Sequence, residues 1–168
     1  MIKGVFTHLI RVFAYGTLKL GQHNHEFCGP IGAIEEGILP GRLYDSGCGF
    51  PILQVAPETI VRTASDSLLL DIREAERCAN PCPRNQQAPA GDWDWVQGEV
   101  ITLQNPIGSL QAMDRLESAT PHGKGPYQRV LVYVQTASGS AQLAWTYVAT
   151  GTSFLYKRIK TGIWPANQ

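Results

Sequence analysis

Glycine and proline punctuate this chain so regularly that short strands and turns, rather than long helices, are its natural elements: 17 glycines and 11 prolines are spread through 168 residues. Between them, apolar residues alternate with polar ones in short runs, the period of a half-buried strand. A strand-rich domain with few helices is expected.

Val12-Phe13-Ala14-Tyr15 reads as a strand stopped by Gly16, and Ile38 to Tyr44 as a second, with Pro40 placing it at an edge or bulge. Trp95 to Leu103 is a third. Arg129 to Gln135 and Gln142 to Val148 form a hairpin, in which Leu131 and Tyr133 alternate against Val130, Val132 and Val134. Between Val61 and Asp94 the character changes to a charged run followed by a Pro-, Asn- and Gln-rich one. Residues 62–94 are therefore expected as an insertion into one domain spanning 1–168. Leu68 to Cys78 suits a short helix, and Pro81, Pro83 and Pro89 make the rest a loop.

Whole-chain properties exclude several partners. Lys plus Arg equals Asp plus Glu at 14 each, so no net field gathers phosphate backbones or acidic lipids, and neither nucleic acid nor membrane is expected as a partner. His8 and Arg11 interrupt the apolar start, which leads us to expect a cytoplasmic protein. Cys28, Cys48, Cys78 and Cys82 match no zinc-binding spacing and are expected as free thiols, with a local Cys78–Cys82 disulfide or a metal site as the alternatives.

The most informative segment runs from Asn105 to Glu117. An Asn cap followed by Pro106 starts a helix, and Ile107, Leu110, Met113, Asp114 and Glu117 share one face of it. Two carboxylates thus lie among apolar residues. Either an inward acid pairs with a cation, with Arg129 or Arg115 available, or it is a desolvated acid with a raised pKa, able to take a proton and return it. The second informative segment is Tyr15-Gly16-Thr17-Leu18, where the break at Gly16 leaves either an ordinary turn or a nest of backbone N–H groups able to bind an anion. Gly16 to Gly21 has the glycine spacing of a phosphate-binding loop, but Gln22 and His23 stand where Lys and Ser/Thr are required.

Tyr15-Gly16-Thr17-Leu18 with Gly21 and Asn24 resembles the Y-G-[ST]-L-x-x-G-x-x-N signature of the γ-glutamylcyclotransferase and γ-glutamylamine cyclotransferase (AIG2-like) superfamily. Gly41-Arg42-Leu43-Tyr44-Asp45 followed by Phe50-Pro51, then Gly98-Glu99-Val100, Asp114-Arg115-Leu116-Glu117 and Tyr127-Gln128-Arg129, follow in that superfamily's order. The resemblance implies an α+β fold: a small mixed β-barrel with a few flanking short helices. It also implies cyclisation of a γ-glutamyl amine or peptide to 5-oxoproline, with Glu117 as general acid/base and the Tyr15, Gly16, Thr17, Leu18 turn, Tyr127 and Tyr147 around the substrate. No metal or cofactor is implied, and the partner is a small γ-glutamyl molecule. The chain departs from the pattern in Met113 for Leu, Ser118 for Gly, and the long segment 62–94.

Other readings are weaker in residues. His23 and His25 resemble a metal pair but lack a third ligand, and Cys48 lacks a readable His partner. A non-catalytic small-carboxylate-binding domain on the same fold is the alternative from a different class.

Overall fold

The strand alternation seen in the sequence becomes the two faces of a curved sheet in the computed structural model, which describes residues 9–79, 87–121, 124–152 and 156–165. The strands are β1 (Arg11–Ala14), β2 (Ile31–Asp45), β3 (Pro51–Gln54), β4 (Ile60–Thr63), β5 (Asp94–Leu103), β6 (Tyr127–Thr136), β7 (Ala141–Ala149) and β8 (Lys157–Arg158). The α-helices among the described residues are α1 (Leu68–Cys78) and α2 (Pro106–Leu116), with short 3-10 turns at His25–Cys28 and Pro57–Thr59. Cys82, Pro81, Pro83 and the start through His8 lie outside the described residues.

Strands run β2-β5-β1-β7-β6, and β6 returns to pair with β2 at Gly37↔Thr136 and Ile38↔Gln135, which closes a five-stranded barrel. Only β1 and β7 are parallel; the other pairings are antiparallel, so the barrel is mixed. β3 and β8 extend β2, and β4 extends β6. Pro40 sits between the stretch of β2 that pairs β6 and the stretch that pairs β3, where a missing N–H leaves no ladder bond unmade.

Period-two alternation sorts the side chains. Phe13, Leu39, Val96, Val100, Val132 and Ala144 fill the barrel interior. Val12, Ile101, Leu131, Leu143, Trp145 and Tyr147 point outward and are covered in part by Ile72 and Ala75 of α1 and by Leu110 and Met113 of α2. That outer layer carries all the charged chemistry described below.

Each helix starts as its sequence suggests. The Ser67 side chain accepts from the Leu70 N–H, and the Asn105 side chain accepts from the Gly108 N–H. One expectation needs correcting: Ile107, placed on the buried face of α2, is 43% exposed. It lies in the first turn, where the helix has not yet met the sheet, and Ser109 is buried instead, donating to the Cys28 carbonyl at 2.6 Å. Residues 62–94 contribute the end of β4, all of α1 and the first residue of β5, with Asp71, Ile72 and Ala75 buried. No described helix is long and apolar enough to cross a membrane.

Candidate functional site

The C-terminal end of α2 brings Glu117 to a narrow cavity over the end of β1. Tyr15, Gly16, Thr17 and Leu18 line one side of it, and Tyr127 of β6 with Tyr147 of β7 line another. The structure thus gathers the seven residues singled out from the sequence around one space. Phe50 and Pro51, which the sequence reading placed in a motif but not at a site, complete the wall. Their signal was present in the Phe-Pro pair after Tyr44, but nothing in the pattern says that a loop between two paired strands turns over the end of a third.

The end of α2 is held by a cap with two reversed hydrogen bonds. The Ala119 N–H donates to the Asp114 carbonyl at 2.9 Å and the Ser118 N–H to the Arg115 carbonyl at 3.3 Å, with Ser118 in the left-handed region at φ 49°. Glu117 is the capping residue, and its own N–H still donates to the Met113 carbonyl at 2.9 Å. Its backbone is therefore fixed on both sides.

Asp114, one turn earlier on the same face, is the acid that pairs with a cation. Arg129 Nε donates to Asp114 Oδ1 at 2.8 Å and Nη2 to Oδ2 at 3.2 Å, while Nη2 also reaches Asp71 Oδ2 at 2.9 Å. Arg129 is 2% exposed and its guanidinium lies over the Trp145 ring, 4.5 Å from its centre. Asp71 Oδ1 accepts from Ser65 Oγ at 2.7 Å and from the Ser65 N–H at 2.9 Å. Asp71 went unnoticed in the sequence because its partner lies 58 residues away across the sheet.

Glu117 has no such partner: among the described residues its carboxyl makes no hydrogen bond or ion pair. Burial alone pushes it up to about 7. The three phenols around it are likewise held above their ordinary values, by burial first, and in each case the Glu117 charge adds to the effect. A carboxyl that changes protonation near neutrality, in a cavity, can act as both base and acid.

Opposite Glu117, the turn at Gly16 is buried, and none of the Gly16, Thr17 and Leu18 amides donates to an acceptor among the described residues. Buried N–H groups are rarely left unpaired in a native fold, so three such groups beside a cavity stand out. The turn is tied from behind: Asn24 Nδ2 donates to Thr17 Oγ1 at 3.1 Å, the Asn24 N–H to the Thr17 carbonyl at 3.1 Å, and His25 Nδ1 lies 2.9 Å from the Leu18 carbonyl. Gly16 is required by space, since a Cβ there would stand 2.5 Å from Pro51 Cγ.

The gamma-glutamyl cyclotransferase, AIG2-like, family matches residues 81–166, just over half of the chain. The chain belongs to that family. A search of curated proteins finds no significant match. Among solved structures, an AIG2-like protein from Mus musculus has the same fold at 19% identity and a TM-score of 0.58, covering 94% of this chain and 88% of its own. YkqA from Bacillus subtilis aligns at 16% identity and a TM-score of 0.56, covering 94% of this chain, which spans 40% of the YkqA chain. A Pyrococcus horikoshii protein aligns at 17% identity and a TM-score of 0.50, covering 92% of this chain and 89% of its own.

As a member of the AIG2-like gamma-glutamyl cyclotransferase family, the chain shows what its own departures from the sequence pattern do. Ser118 occupies the left-handed cap position that a glycine fills without strain, and Gly125 packs so closely on it that a Cβ would stand 2.0 Å from the Ser118 carbonyl oxygen. Met113 is fully buried and fills the Leu position as a similar volume. Neither change displaces Glu117 from the cavity. The other candidates stand apart: His23 is exposed, His25 supports the turn, and Cys48 lies exposed on the loop before β3.

Proposed function

We propose that the protein cyclises a γ-glutamyl amine or peptide to 5-oxoproline and a free amine, with Glu117 as the proton-transferring group. The observation that carries this reading is a carboxyl without a partner among the described residues, lining one cavity with a turn of unused backbone amides. The amides of Gly16, Thr17 and Leu18 hold the substrate's carboxylate. The Glu117 carboxylate removes one proton from the α-ammonium, and the freed nitrogen attacks the γ-carbonyl carbon of the same molecule. The tetrahedral intermediate collapses as Glu117 returns that proton to the departing nitrogen, breaking the original amide bond. The ring nitrogen, which still carries two hydrogens, gives up one of them to the freed amine, which leaves as an ammonium. Because nucleophile and carbonyl belong to one molecule, holding the folded-back conformer supplies much of the rate through proximity.

The reading is tested by incubating the protein with γ-glutamyl dipeptides, γ-glutamyl-ε-lysine and glutathione and assaying 5-oxoproline. At least one is expected to be turned over, and Glu117→Gln is expected to lower that turnover by roughly two to four orders of magnitude. Turnover undiminished in the variant would remove Glu117 from the mechanism.

A further inference from the structure

The strands that serve the cavity continue past it. Tyr147 of β7 lines the cavity, and Ala149 stands two residues further along the same face, about 7 Å away. Ala149 lies opposite Tyr127 in the β6–β7 ladder, and there the face opens into a groove of about 480 Å³, a size typical of small-molecule sites. Phe50 and Tyr127 line both spaces, so groove and cavity share a wall. Ile52 of β3, Pro126 and Ala149 make the rest mostly apolar, and Lys124 is the one charged side chain lining it among the described residues. Bonds within the fold fix these walls. Thr150 Oγ1 donates to the Gly125 carbonyl at 2.6 Å and the Thr150 N–H to the Pro126 carbonyl at 3.2 Å, which ties the end of β7 to the loop before β6. Thr120 Oγ1 accepts from the N–H groups of Lys124 at 3.1 Å and Gly125 at 3.3 Å, and Tyr127 donates to the Pro51 carbonyl at 3.1 Å.

We propose that this groove receives the departing amine and selects a γ-glutamyl dipeptide whose second residue has a bulky apolar side chain, with that residue's carboxylate meeting Lys124. The proposal rests on the reading of the cavity as a γ-glutamyl site and adds what that reading leaves open, the identity of the amine. Tyr127 borders both spaces, so a substrate with its scissile amide at Glu117 has the groove beside whatever that nitrogen carries. An apolar side chain there exchanges water for the surfaces of Phe50, Ile52 and Pro126, which glycine cannot do. The amine of γ-glutamyl-ε-lysine brings an ammonium group at its far end, which would lie against apolar walls or meet the cation of Lys124, and both weaken binding. Ala149 keeps the groove open: a larger side chain opposite Tyr127 would occupy it.

The test compares γ-glutamyl-phenylalanine with γ-glutamyl-glycine, which lacks the side chain, with γ-glutamyl-phenethylamine, which lacks the carboxylate, and with γ-glutamyl-ε-lysine. Release of 5-oxoproline gives kcat/KM on wild type, and calorimetry gives dissociation constants on Glu117→Gln. The phenylalanine compound is expected to lead the glycine compound by at least about tenfold in both measurements, the worth of partly burying an aromatic side chain. It is expected to lead the phenethylamine compound by about two- to fivefold, the range of an exposed ion pair. Lys124→Ala should abolish the second preference, and Ala149→Leu, checked for an intact thermal transition, should shrink the first to within about twofold. The comparison of substrates on wild type needs no variant, so it decides the matter even if Ala149→Leu does not fold. Equal values for the phenylalanine and glycine compounds, a preference for γ-glutamyl-ε-lysine, or preferences unmoved by both folded variants overturn the groove while leaving the cyclisation in place. Tighter binding of the phenylalanine compound without any release of 5-oxoproline supports the groove and overturns the cyclisation, and neither binding nor release overturns both.

Discussion

Asp114 and Glu117 sit one turn apart on the same face of α2, and the surroundings of the two carboxyls are opposite in kind. Asp114 belongs to a filled region: Arg129, Asp71, Ser65, Tyr147 and Trp145 close around it, and both oxygens of its carboxylate are paired, while Arg129 Nη1 and Trp145 Nε1 are buried without a hydrogen-bond partner among the described residues. Glu117 belongs to an open one, with a cavity in front and no partner among the described residues. The first region stores its charge in fixed pairs and positions Tyr147. The second leaves a carboxyl whose charge is costly, which is the condition for proton transfer near neutral pH. The inward acid that pairs with a cation and the desolvated acid with a raised pKa are therefore both present, as different residues.

The contrast breaks most visibly in the filled region. Arg129→Met leaves the buried Asp71 and the half-buried Asp114 without their cation, and loss of one partner of a buried pair costs about 3–5 kcal/mol. For a chain of this size that lowers the thermal midpoint by on the order of 10 °C. A midpoint within a degree or two of wild type would show that the cluster is not the fixed region described.

The open region predicts the reverse sign. The carboxyl of Glu117 is raised from 4.5 to about 7 in the folded state, so the folded protein holds this proton more tightly than the unfolded chain. The stability this contributes is full below pH about 4.5 and is lost as pH rises through about 7. Glu117→Gln, which carries no charge to bury, is therefore expected to be more stable than wild type at pH 8, by roughly 1–3 kcal/mol once solvent reaching this half-buried group is allowed for. No gain is expected at pH 4.5. Chemical denaturation at the two values checks this, and a loss of stability at pH 8 would mean that Glu117 has a cationic partner after all.

The smallest expected effect sharpens the link between the two regions. Ser118→Gly relieves a left-handed backbone at the cap that follows Glu117, and is expected to add about 1 kcal/mol. Turnover should be unchanged, because the hydrogen bonds of the cap are made by backbone groups. Destabilisation would show that the Ser118 side chain holds the cap in some other way.

Much of this arrangement was legible in the sequence. Alternation in Arg129 to Gln135 separates Val130, Val132 and Val134 from Leu131 and Tyr133, and the structure keeps that separation as inside and outside of the barrel. The Asn105-Pro106 start and the spacing of Asp114 and Glu117 anticipated α2 and its two inward acids. What was not legible depends on long-range closure. Asp71 reads as one charge in a charged run until α1 packs against β6 and sets it beside Arg129. Phe50 and Pro51 reach the cavity because the β2–β3 turn passes over Gly16, and the Pro51 ring takes up the space a Cβ at Gly16 would need. Ile107 was misplaced because helical periodicity alone does not say where along the helix the contact with the sheet begins.

The most direct test of the account is the pH dependence of kcat/KM for 5-oxoproline release by wild type and Glu117→Gln, measured on the best γ-glutamyl substrate. For a base protonated below about 7, the wild-type value is expected to fall about tenfold for each pH unit below that point and to level above it, while the variant shows a low rate without that limb. A wild-type profile flat from pH 5.5 to about 8, or a variant that keeps both the rate and the limb, would contradict Glu117 as the group that moves the proton.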